Sequence, residues 1–252
     1  MKIRQKLRTN WRQILIALPS PAPYPDNASK SDQMPSLQNV FESAEMAELS
    51  SFSGTVIMTS LYQACFEHAE AASRSKSYDF WDTHYRIDKA INRCRATLIS
   101  QQSNPDSDSP LSLGLRMNLG AVAIMLHEAM LTKVQSDDLP ASLTSEASSK
   151  CISAVADIVE PIQTALRLTD KKLEAFQQVD RFLIWPVTAA IQVCFRMLYH
   201  SHSQEDAKPY IEFLRILTNL IKDYIDPDQI DPALLHKVND RVAELERGAR
   251  KS

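Results

Sequence analysis

Residues 80–94 read FWDTHYRIDKAINRC. The stretch brings together Trp81, Asp82, His84, Tyr85, Asp88 and Cys94, side-chain types that build active sites and also line the inner faces of ordinary helices. Spacing separates the two cases. Phe80, His84, Ile87, Ile91, Cys94 and Leu98 step by four, three, four, three and four residues, the inner stripe of an amphipathic helix. Trp81 and Tyr85 form a second aromatic pair one turn apart beside it. His84 and Asp88 share a helical face, and an aspartate can orient an imidazole as it does in a hydrolytic triad. The stripe nevertheless accounts for His84 as a packed residue with no chemistry.

Helices are expected along the rest of the chain as well. Its 252 residues contain four glycines, at 54, 114, 120 and 248, too few for a series of hairpins or phosphate-cradling loops. Breaks are marked instead by the proline- and serine-rich segments 19–36, 73–77, 100–110, 136–140 and 226–232. From Ser50, Phe52, Val56, Leu61, Ala64 and Cys65 predict one amphipathic helix beneath serines able to cap it. The run from Leu111 to Leu131 is apolar on nearly every side, which predicts a central helix surrounded by neighbours, with Gly120 and Ala121 allowing close backbone approach. Two more stripes follow. Ile152, Val155, Val159, Ile162 and Leu166 form one, and Val179, Leu183, Val187, Ile191, Cys194 and Leu198 the other. Each contains a proline, Pro161 or Pro186, expected to kink the helix or split it in two. Residues 210–225 give a further helix with Ile211, Leu214, Leu217, Leu220 and Ile221 inward, and Pro232 suits the first turn of a last one. The pattern predicts an all-α chain, an irregular bundle of about seven to nine helices, organised as one domain over residues 1–252. No solenoid period is present.

Composition narrows the function. Hydrophobic residues make up 44% of the chain, enough for a sizeable core. Its 28 basic and 31 acidic residues leave a net charge of −3, without the basic excess that neutralises a phosphate backbone. Direct DNA binding by this chain is not expected. Cys65, Cys94, Cys151 and Cys194 are too scattered to suggest a zinc site or a disulfide framework, so buried reduced thiols are expected. The basic start, MKIRQKLRTNWR, is followed by only a short apolar run before prolines, unlike a secretory signal. The longest nearly apolar stretch, Leu119–Leu131, is too short to span a bilayer.

Motifs for chemistry are sparse. Neither glycine-rich nucleotide signature occurs, nor a G-x-S-x-G elbow, and His127-Glu128 is not followed by the second histidine of a zinc protease helix. Ser73-Arg74-Ser75-Lys76 matches the S-x-x-K acylation pattern but sits in a serine-rich break with no partner motif, where a solvated or phosphorylated loop is the simpler account. His200, His202, Glu205 and Asp206 could ligate a divalent metal. Histidines at a helix end more simply meet the exposed carbonyls and the negative end of the helix dipole. His127 lies within the apolar helix, where a hydrogen-bonded core role fits best. No catalytic, cofactor-binding or metal-binding residue is therefore assigned, and no cofactor is expected.

The order of segments resembles a known family. DFWDTHYRIDKAI, MNLGAVAIMLHEAML and FLIWPVTAAIQVCFRMLYHS, together with the runs around them, are similar to the regulatory domain, or middle homology region, of fungal zinc binuclear cluster transcription factors. Phe80, Trp81, His84 and Asp88 stand at the matching places of one block, with Ile87 in place of leucine. Asn118 and His127 match a second block, and Pro186, Ala189 and Ala190 a third, the whole resemblance running over about residues 18–225. It implies an all-helical domain that regulates transcription in the nucleus through protein or effector contacts, with the cytoplasm as the other compartment. Protein partners are implied, either a second copy of the chain or the transcription machinery, and no membrane. The family's six-cysteine zinc cluster has no counterpart here, so the chain corresponds to the C-terminal part of the regulatory domain without the DNA-binding module. It is then either a truncated gene product or a stand-alone remnant, and missing helices would leave apolar surface open to dimerisation or dye binding. The alternative is a non-catalytic helical scaffold or partner-binding module in a fungal pathway.

Overall fold

The structure, a computed structural model, describes residues 51–74, 79–101, 110–167, 170–200, 204–224 and 230–249. Seven α-helices and no strand occur among them: α1 Ser51–Arg74, α2 Phe80–Gln101, α3 Pro110–Ser136, α4 Ala141–Arg167, α5 Asp170–His200, α6 Gln204–Tyr224 and α7 Pro232–Ala249. The all-α expectation holds. The chain divides into two compact units, residues 1–107 and 108–252, with the boundary inside the Ser-, Asp- and Pro-rich break at 100–110.

In the first unit α1 packs on α2. The α2 stripe is buried at every predicted position, from Phe80 through His84, Ile87, Ile91 and Cys94 to Leu98. Asp79 starts that helix: its carboxylate accepts the Asp82 backbone N–H at 3.3 Å, satisfying one of the amides that the first turn leaves orphaned. On α1 the buried face is Ile57, Met58, Leu61, Ala64, Cys65 and His68, while Val56 is half-buried. Val56 was expected to line that stripe, but the buried arc is centred one position further on, at Ile57. The Phe52 side chain and the capping serine at Ser50 lie outside the described residues.

In the second unit α3 is the central helix, packed chiefly against α4 and α5. Met117, Ala121, Val122, Leu126 and Met130 are wholly buried, and together with Ala123, Ile124 and Val134, each 2% exposed, they cover every side of the helix. Gly120 makes the α4 contact possible: a Cβ there would stand 2.6 Å from Ile158 Cγ1 and 2.9 Å from the Ala154 carbonyl oxygen. Pro110 occupies the first position of α3, where its missing N–H costs no hydrogen bond. At the other end the Leu139 N–H returns to the Val134 carbonyl at 3.0 Å, with Asp138 in the left-handed region at φ 51°. This six-to-one closure is a Schellman stop with aspartate where glycine is usual.

The helices also differ in extent from the sequence reading. Helix α4 runs ten residues further toward the N-terminus than its apolar stripe, because the polar segment after Pro140 forms its first turns. Pro161 and Pro186 do not split their helices; α4 and α5 are continuous through them. One lost hydrogen bond and a clash with the preceding turn are outweighed by burial, since Val155, Val159 and Ile162 flank Pro161 and Leu183, Val187 and Ile191 flank Pro186, all buried. Helix α6 begins at Gln204 and carries Pro209 inside its second turn. Its inner stripe of Ile211, Leu214, Leu217, Leu220 and Ile221 is buried as expected. Pro232 opens α7 beneath Asp231, whose carboxylate accepts the Ala233 N–H at 2.9 Å.

Candidate functional site

The residues that look most like a catalytic group fall on the α1–α2 seam. His84 is fully buried, its ring 5.4 Å from that of Phe80 with the planes 22° apart. Across the seam from α1 comes His68, 1% exposed, whose ring stacks on Phe80 at 4.4 Å and lies 5.5 Å from His84. Trp81 and Tyr85 stack beside them at 6.1 Å, with Tyr85 half out in solvent at 48% exposure. The result is a continuous aromatic wall in which both imidazoles serve as flat rings. Asp88 is half-buried one turn further along α2.

Burial sets the electrostatics of this seam. Removal from water disfavours the imidazolium of His68 and holds its pKa down at about 4, so at neutral pH the ring is uncharged. A neutral imidazole stacks on a phenyl ring at little desolvation cost, whereas a charged one would lose its hydration. Sequence spacing did not single out His68. It stands three residues after Cys65 and seven after Leu61, so the α1 stripe itself carried the signal.

The remaining candidates are dispersed. The Ser73 hydroxyl donates to the Glu70 carbonyl at 2.8 Å within the last turn of α1, and Arg74 pairs with Glu70; Ser75 and Lys76 lie outside the described residues. His200 is exposed in the last turn of α5, against the Tyr199 ring, while Ser201 and His202 lie outside the described residues. Glu205 is exposed on α6. Among the described residues no group of three or more histidine, cysteine or acidic side chains could hold a metal ion.

A polar junction joins the helices around α3. His127 is buried, and its neighbour Glu128 accepts a hydrogen bond from Arg196 Nη1 on α5 at 2.7 Å. Cys151 of α4 lies against the same pair. Burial pushes its thiol up to about 12, the Arg196 guanidinium working against that shift by charge and hydrogen bonding and the Glu128 carboxylate adding to it. Glu128, Cys151 and Arg196 thus bring three helices to one point. All four cysteines are free and buried, and desolvation raises every one of their thiols well above the ordinary range. None has the depressed pKa of a reactive nucleophile.

No helix among the described residues is long and apolar enough to cross a membrane. No family model matches the chain, and no solved structure matches it. Curated proteins do. The chain is 26% identical over 228 residues to the depudecin biosynthesis cluster-specific transcription activator DEP6 of Fusarium langsethiae, covering 84% of this chain and 35% of that protein. It is 27% identical over 229 residues to the protein of the same name from Alternaria brassicicola, covering 84% of this chain and 33% of the relative. The chain spans about a third of the length of the curated relatives it matches. These relatives are fungal transcription activators, in agreement with the resemblance drawn from the three sequence blocks.

Proposed function

We propose that the chain is a transcription regulator, equivalent to part of the regulatory region of a fungal activator, and that it acts in the nucleus through protein or effector contacts. In this reading it neither holds DNA directly nor catalyses a reaction, and no residue is a catalytic, cofactor or metal site. The observation that carries the proposal is the alignment with two fungal activators along 84% of the chain. The site geometry is consistent with it: the histidines that could have served a substrate are stacked into a packing seam, and the thiols are held protonated.

The test fuses the chain to a heterologous DNA-binding domain upstream of a reporter in a fungal host. Activation or repression relative to the unfused DNA-binding domain supports the regulatory reading. Unchanged output with the fusion expressed and nuclear would overturn it in favour of a scaffold outside transcription. A fluorescent fusion that stays out of the nucleus would count against the assigned compartment.

A further inference from the structure

The second unit carries a groove that the aromatic seam does not involve. It lies between α5 and α7, has a volume of about 690 Å³, and is open along its length. One wall comes from α5, where Phe195 is half-buried and Tyr199, one turn on, is 71% exposed. The other is one face of α7, carrying Lys237, Arg241 and Arg247 with Asp240 and Glu244 between them. Of the two carboxylates, Glu244 pairs with Arg241 at 2.7 Å, and Asp240 lies 3.3 Å from His236 Nε2, an ion pair only when that imidazole is protonated. Lys237 and Arg247 have no carboxylate partner among the described residues. Arg247 instead donates from Nε to the Ala243 carbonyl at 3.1 Å. Ten residues of helix separate these two cations, about 15 Å. They are the first and last of the α7 residues that line the groove, which Phe195 and Tyr199 of α5 line as well.

A largely exposed tyrosine thus shares one groove with two cations that no carboxylate among the described residues pairs with. Tyrosine and arginine are enriched among the side chains that anchor protein interfaces, tyrosine because its rigid ring offers area and a polar tip, arginine because its planar guanidinium matches a carboxylate. The geometry points to the α5–α7 groove as a docking surface for an acidic amphipathic segment of a partner protein. Its apolar side chains lie on Phe195 and Tyr199, and its carboxylates pair with Lys237 and Arg247. A helical segment with acidic residues three turns apart and apolar ones between would match both spacings. This inference rests on the reading of the chain as a regulator that works by protein contacts.

The experiment uses the full chain and a fluorescein-labelled, alanine-rich helical peptide with glutamates near both ends and leucine and tryptophan between them, followed by fluorescence anisotropy. Saturable binding is expected, weakening as salt rises. It should drop about tenfold for the glutamine version of the peptide or for the Lys237→Glu/Arg247→Glu variant. Tyr199→Ala should weaken both peptides. All three substituted positions are exposed, and circular dichroism checks that the variants keep their helix content. Absence of saturable binding, or equal affinity for the glutamate and glutamine peptides, overturns the inference. So does a dimer in sedimentation that Tyr199→Ala dissolves, because a second copy would then be the occupant. A reporter fusion that stays active while peptide binding fails sinks only the groove. Peptide binding with a silent reporter sinks the regulatory reading and leaves the groove standing.

Discussion

The His68 imidazole on α1 and the Phe80 ring on α2 lie nearly face to face, centroids 4.4 Å apart and planes 30° from parallel. Stability should depend on pH because His68 is buried here. The His68 pKa falls from 6.5 to about 4 on folding, so between those values the unfolded chain binds the extra proton. The His68 contribution is fully present above about pH 6.5 and is lost as pH falls toward 4, a difference of up to about 3 kcal/mol. Urea titrations at pH 7 and pH 4.5 should show a larger loss for the wild type than for His68→Gln. Equal losses would mean that the imidazole is not the group responsible.

The close approach at Gly120 gives a second expectation. An added methyl would meet the Ala154 carbonyl oxygen at 2.9 Å, and backbone cannot turn aside as a side chain can. Gly120→Ala should destabilise the chain by about 1–3 kcal/mol despite the higher helix propensity of alanine. Gly114→Ala is the control. Nothing lies within 4 Å of a Cβ there, so propensity should raise stability by about 0.5–1 kcal/mol. Thermal unfolding of both variants checks the pair, and the same sign for each would contradict it.

Asp138 ends α3 at φ 51°, a conformation that costs side chains other than glycine. Asp138→Gly should keep the Leu139 to Val134 closure and stabilise the fold by about 0.5–1 kcal/mol. A melting temperature that falls instead would show that the aspartate does more than tolerate the turn.

The thiols supply a kinetic test. Cys94, Cys151 and Cys194 are each held near pKa 12 by burial, and Cys65 is raised further. The native chain at pH 8 should react with an aromatic disulfide reagent only as fast as it opens, and all four thiols should react at once in denaturant. A fast-reacting thiol in the native state would locate a surface that burial does not protect.

Much of this was legible beforehand because helical burial follows spacing. The α2 and α6 stripes were readable residue by residue, and so were the encircled helix α3 and the need for Gly120. Of the two outcomes expected at Pro161 and Pro186, a kink or a split, the split does not occur, for a physical reason: a single-residue penalty is visible in a sequence, whereas the flanking burial that outweighs it depends on partners far away along the chain. His68 escaped notice because a stripe position filled by a polar residue looks like an interruption until its ring is seen against Phe80. The α5–α7 groove could not be read at all, since it exists only where two helices separated by α6 come side by side.

The Gly120 contact also bears on how force could travel through the second unit. With no side chain at that point, α3 presents bare backbone to the Ile158 side chain and the Ala154 carbonyl oxygen, and on the α3 side no rotamer change can absorb a displacement. On the α4 side only the Ile158 side chain can give, since the Ala154 oxygen belongs to the backbone. A displacement of α4 would therefore press on α3 itself, which is in turn tied to α5 through Glu128 and Arg196.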